Sequence, residues 1–134
     1  MSPEHLPPGS PQSWLRYAKA DLSIVRSPKS EDGLYEILCY HAQQSVEKSL
    51  KAVLIHLGIE FPKIHLIEKL IDLLPESISK PPALIQSIKL SPFATVSRYP
   101  SEEEVITEEE FNEALSLTES VYTWADGIIS GGTT

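Results

Sequence analysis

The longest helical pattern in the chain, from about Leu34 to Leu57, constrains the fold more than any other feature. Placed at 100° steps, Tyr35, Leu38, Cys39, Ala42, Val46, Ser49, Leu50, Val53 and Leu57 gather on one side. Tyr40, His41, Gln44, Glu47, Lys48 and Lys51 gather on the other. Gly58 then supplies an end signal, because glycine enters the left-handed region without steric cost. A long helix with one apolar side needs neighbours to cover that side.

The rest of the pattern supplies them. Pro11 suits a first helical position after Ser10, and Trp14, Tyr17, Ala18, Leu22 and Val25 recur at helical spacing until Ser27-Pro28. A third helix is expected over about Ile64–Leu74, ended by Pro75, and a fourth over about Pro82–Phe93. Thr107-Glu108-Glu109-Glu110 reads as a capping box opening a last helix, whose stripe runs Phe111, Ala114, Leu115, Thr118, Val121, Tyr122, Ala125 and Ile129. No segment reads as a strand. The expected fold is all-α: an up-and-down bundle of about five helices with a four-helix core. It spans residues 11–129 between a flexible lead (1–10) and a frayed tail (130–134).

At 134 residues the chain has the size of one domain. The lone cysteine, Cys39, rules out an internal disulfide and, lying among apolar residues, reads as a buried structural thiol. No stretch approaches the ~18 apolar residues of a membrane span, and no signal-peptide pattern opens the chain, so a cytoplasmic location is expected. The net charge of −8 is uneven: residues 1–100 carry eleven Lys/Arg and ten Asp/Glu, residues 101–134 nine acids and no bases. Such an acidic chain is a poor non-specific binder of nucleic acid. The acidic block suits a solvated helix start or a face for a basic partner.

The histidines sit in no metal-ligand spacing, so neither a metal nor a cofactor is expected. His41 and His65 stand out because each lies among polar groups. The Gln44, Glu47, Lys48 and Lys51 stripe admits two readings. One is a solvated face supported by the i,i+4 pair Glu47–Lys51. The other is a groove of amide and ammonium donors suited to phosphate oxygens. Arg98, between Ser97 and Tyr99-Pro100, is a second candidate anion binder, with a salt bridge to Glu102–Glu104 as the plainer alternative. There is no glycine-rich phosphate loop, no Gly-x-Ser-x-Gly elbow and no Ser–His–Asp arrangement.

Taken in order, these pieces resemble the HEPN domain. The matching residues are Trp14 with Ala18-x-x-Asp21-Leu22, and the run from Cys39 to Ala52 with its Tyr-His-Ala-Gln-Gln-Ser-Val-Glu-Lys core. Lys63-Ile64-His65-Leu66 through Leu70, Arg98-Tyr99-Pro100 and Val121-x-x-Trp124 follow. The resemblance implies a cytosolic helical bundle, commonly a homodimer, similar to the substrate-binding subunit of minimal nucleotidyltransferases. Related members are metal-independent ribonucleases of toxin–antitoxin or defence pairs, which use an Arg, four to six residues, then a His.

That motif is absent. Arg16 is followed at the required spacings by Asp21, Leu22 and Ser23, Arg26 by Glu31, Asp32 and Gly33, and Arg98 by Glu103, Glu104 and Val105. The expectation is therefore a module without catalytic residues of its own. It would bind a nucleotide or a nucleotidyltransferase partner through Gln44, Lys48, Lys51, His65 and Arg98. The alternatives are a divergent ribonuclease using His41 or His65 with Arg98 across a dimer, and an adaptor docking through Glu102–Glu110.

Overall fold

A computed structural model describes residues 6–31, 33–94 and 106–131. Among the described residues five α-helices are formed: α1 (Pro11–Arg26), α2 (Tyr35–His56), α3 (Ile67–Asp72), α4 (Pro82–Gln86) and α5 (Glu108–Gly131). A 3-10 segment, Ser87–Ala94, continues α4. The described residues contain no strand.

The helix ends follow local chemistry. Ser10 caps α1 by accepting from the Ser13 amide at 3.1 Å. Ser27 at its other end is extended (ψ 145), as a residue before proline must be. At the end of α2, Gly58 sits at φ 75, its amide bonds to the Ile55 carbonyl, and the Ile59 amide reaches back to Leu54. This is a Schellman closure with glycine in the left-handed position. The expected capping box opens α5: the Glu110 amide donates to Thr107 Oγ1 and the Thr107 amide to Glu110 Oε1, both at 3.1 Å. The last helix continues through Ser130 and Gly131, beyond the expected edge at 129.

Two expected helices are shorter than their patterns. Ile64–Leu66 are not helical, Leu66 is extended, and the Ile67 amide goes to Ser91 Oγ at 3.0 Å rather than to a helical carbonyl. The fourth tightens into 3-10 geometry at Ser87. Pro92 inside it lacks an amide and disfavours α geometry at Ser91.

Contacts fix the directions. Trp14 lies by Lys51, Ala18 by Ser45 and Asp21 by His41, so α1 and α2 are antiparallel. Ser79 bonds Trp124 while Lys89 pairs with Glu113, so the α4/3-10 rod runs antiparallel to α5. Tyr35 stacks on Phe111 (centroids 4.8 Å apart), which puts the starts of α2 and α5 side by side. The result is an up-down-up-down bundle with the broken rod in third place and α3 leading into it.

The core gathers Leu22, Leu50, Leu54, Leu70, Leu84 and Val121, all essentially inaccessible. Helix α2 is the central rod, and here the solvated-face reading fails. Gln43, Ser45, Glu47, Ser49 and Lys51 are buried along with the apolar side. Its polar side is covered by α1 and by the connection leading to α3. Between α1 and α2, Ala18 and Ser45 have no exposure, and the Ser45 hydroxyl donates to the Ala18 carbonyl at 2.8 Å.

Candidate functional site

Burying a charge costs several kcal/mol unless a partner and hydrogen bonds compensate, so the polar side of α2 must be organised internally. It is, in two clusters.

The inner cluster centres on Glu47, whose side chain is 4% exposed. Its Oε2 accepts from Lys51 Nζ at 2.8 Å and from His65 Nδ1 at 3.1 Å, and its Oε1 from Gln43 Nε2 at 3.0 Å. The same Gln43 amide reaches the His65 carbonyl at 3.1 Å, and Gln44 Nε2 donates to Gln43 Oε1 at 2.8 Å. The Lys51 ammonium also faces the rings of Trp14 and Phe61, each 5.5 Å away. Burial pushes the Glu47 carboxyl up, but the hydrogen bonds from Lys51, Gln43 and His65 outweigh it and hold it below its usual range.

The outer cluster centres on Asp21 of α1. Asp21 Oδ1 accepts from His41 Nδ1 at 3.0 Å, and Oδ2 from Lys48 Nζ at 2.7 Å. His41 and Lys48 are seven residues apart, two turns of α2, so both lie on the side that faces Asp21. Both remain about a quarter exposed.

The structure thus brings Gln44, Lys51 and His65 into one network and sets Lys48 in the adjoining one. Lys51 is 7% exposed and committed to Glu47, whereas the His65 ring is 69% exposed. Arg98 lies outside the described residues. The sequence reading did not single out Asp21 or Gln43 as site residues. Asp21 falls in register with the core positions Ala18, Leu22 and Val25, and a carboxylate in an apolar register must find a partner. That register was the available signal.

Elsewhere, Glu68 accepts from the Ser91 hydroxyl at 2.6 Å, which with its own backbone amide lowers its pKa. Cys39 is buried as expected. Burial, and then the nearby Glu110 charge, push its thiol up to about 11, which keeps it protonated at neutral pH. It lines a cavity of about 200 Å³ with Leu90, Phe93, Ile106 and Ala114. Among the described residues no group of three or more His, Cys, Asp or Glu is arranged to hold a metal.

A family model for the HEPN domain matches residues 11–128. The chain belongs to the HEPN family. Two solved structures share its fold closely. ST0689, an archaeal HEPN homologue, is 29% identical with a TM-score of 0.68, over 90% of this chain and 98% of its own. TT1696 from Thermus thermophilus is 26% identical with a TM-score of 0.74, over 88% of this chain and 97% of its own. No curated protein gives a significant match. The HEPN match takes in both polar clusters and all five helices except the last residues of α5. Among the described residues no helix is long and apolar enough to cross a membrane.

Proposed function

We propose that this HEPN chain is a binding module without catalysis of its own, taking a nucleotide or a nucleotidyltransferase partner and working as a homodimer. The observation that carries the proposal is the solvent-facing fringe of the two clusters. Gln44, Lys48 and His65 keep open hydrogen-bonding positions while their inner atoms are anchored to Gln43, Asp21 and Glu47. Anchored donors are partly pre-organised, which lowers the entropic cost of gripping an anionic group. Lys51 contributes from beneath by holding Glu47 in place, and Arg98 is the remaining cationic contact of the proposal.

Isothermal titration with ATP and other nucleotides, with and without magnesium, tests this directly. Saturable binding weakened by Lys48→Ala and Arg98→Ala is the expected result. An absence of heat with every nucleotide removes the ligand half of the proposal and leaves the partner half, tested by co-purification with a nucleotidyltransferase. Light scattering at twice 14.9 kDa is expected for the dimer. Such a pair would fit a toxin–antitoxin or defence system.

One observation favours a second reading, a divergent metal-independent ribonuclease. His41 donates through Nδ1 to a carboxylate that also holds an ammonium, and an oriented imidazole beside a cation suits proton transfer from a 2′-hydroxyl. Purified protein that cleaves RNA, and stops doing so on His41→Ala and Arg98→Ala, would establish it.

A further inference from the structure

The geometry points to a nucleoside monophosphate site on the α1–α2 face, in which Lys48 and Gln44 hold the phosphate, the Nε2 of His41 accepts from a ribose hydroxyl, and Asp21 positions both ends. It rests on the nucleotide half of the proposed function and narrows the ligand to one class.

Three observations lead there. First, Asp21 fixes the chemistry of His41. A carboxylate can only accept, so the 3.0 Å contact makes Nδ1 the protonated nitrogen. In the neutral imidazole Nε2 is then a lone-pair acceptor, which recognises a hydroxyl or an N–H and not an anion. Second, the charge available to an anion is small. Of the clusters' two lysine side chains, that of Lys48 is 24% exposed and that of Lys51 only 7%. The carboxylates of Asp21 and Glu47 balance the two. A site that is neutral overall, its one partly exposed ammonium already paired with Asp21, suits a monophosphate better than a more highly charged triphosphate. Third, Tyr17 is 55% exposed and lies one helical turn before Asp21, on the same side of α1. An exposed aromatic ring one turn from Asp21 is available as a platform for a base. Gln44 lies between His41 and Lys48 on the same side of α2 and completes the row.

Asp21 is a positioning residue here, acting through His41 and Lys48. Its action has a readout independent of any ligand. In ¹⁵N-correlated spectra the neutral His41 ring is expected to carry its proton on Nδ1, and Asp21→Asn is expected to release that preference. Titration calorimetry then compares AMP, ATP, inorganic phosphate and 2′,3′-dideoxy-AMP. AMP is expected to bind about tenfold more tightly than inorganic phosphate or the dideoxy analogue, and more tightly than magnesium-free ATP. Lys48→Ala, Asp21→Asn and Tyr17→Ala should each weaken AMP by about fivefold or more. Tyr17→Ala changes an exposed side chain and keeps the test sharp should Asp21→Asn unfold the protein.

Nucleotide binding that ignores all three substitutions, or that favours ATP over AMP, overturns this site while leaving the broader function standing. No binding of any nucleotide, with the His41 tautomer nonetheless fixed, overturns this site together with the nucleotide half of the proposed function and makes the Asp21 cluster a helix brace. A His41 protonated on Nε2 overturns the inference by itself.

Discussion

The two polar clusters of α2 use the same vocabulary and differ in depth. Each has one carboxylate, one lysine and one histidine, with the histidine bonded through Nδ1. Around Glu47 the carboxylate and the ammonium are both nearly dry, and a glutamine and two aromatic rings finish the enclosure. Around Asp21 the carboxylate is the deepest member and its two partners stand at the water. In the closed cluster the carboxylate and ammonium have their hydrogen-bonding capacity used up and hold structure, while Gln44 and the exposed His65 ring remain available at its rim. An open one has capacity left over and can hold something else. Depth separates them because the Coulombic value of a contact rises as water is excluded, while its availability falls.

The sharpest break is Glu47→Ala. It strands the Lys51 ammonium in a buried site, and removing one partner of such a pair typically costs about 3–5 kcal/mol. Urea unfolding monitored by circular dichroism should show that loss. The double change Glu47→Leu with Lys51→Met should recover most of it, since an apolar pair of similar volume is often as stable as a buried ion pair. A cost below about 1 kcal/mol for Glu47→Ala would remove the distinction between the clusters.

Acid separates them next. Glu47 titrates below its usual range when folded, so the unfolded chain binds its proton first as pH falls. Its stabilising contribution is complete above the unfolded carboxylate value of about 4.3 and is lost as pH drops through the lower folded value. Stability measured from about pH 6 downward should therefore fall less steeply in Glu47→Gln than in the parent. Glu68 is displaced in the same direction and contributes to the parent slope in both proteins.

Legibility from sequence followed this same division by depth. The bundle was readable because Pro11, Ser27-Pro28, Gly58 and the Thr107 capping box act through bonds to residues a few places away. The 3-10 tightening at Ser87 had its cause in view at Pro92. The non-helical stretch before Ile67 did not, because its amide is satisfied by Ser91, 24 residues later. Likewise the polar row on α2 was visible as a row, but Glu47 and Lys51 look like a surface pair until α1 and the segment around Phe61 are laid over them. An i,i+4 spacing carries no information about what covers it. Asp21 carried a usable signal, its register with Ala18, Leu22 and Val25, but the sequence reading did not single it out.

The outer cluster should respond more weakly to loss of its carboxylate. Asp21→Ala leaves His41 and Lys48 free to turn toward water, so we expect a cost of about 1–2 kcal/mol rather than the larger figure for Glu47. The same urea titrations measure it. A loss equal to that of Glu47→Ala would mean that Asp21 is a structural centre too, with little capacity left for a ligand.

The smallest effect calibrates the scale. Arg26 and Glu119 join α1 to α5 at 2.9 Å, a distance no worse than those inside the clusters, yet their side chains are 48% and 42% exposed. Geometry alone would rank this pair with Lys51 and Glu47. Solvent screening and the entropy of two long side chains rank it far below, and Arg26→Ala should change stability by no more than about 0.5 kcal/mol. Whatever it does contribute should vanish as salt is raised, while the Glu47 effect persists, because only the exposed pair shares its field with mobile ions. A loss above about 1.5 kcal/mol at Arg26, insensitive to salt, would show that distance and not burial grades the ion pairs of this fold.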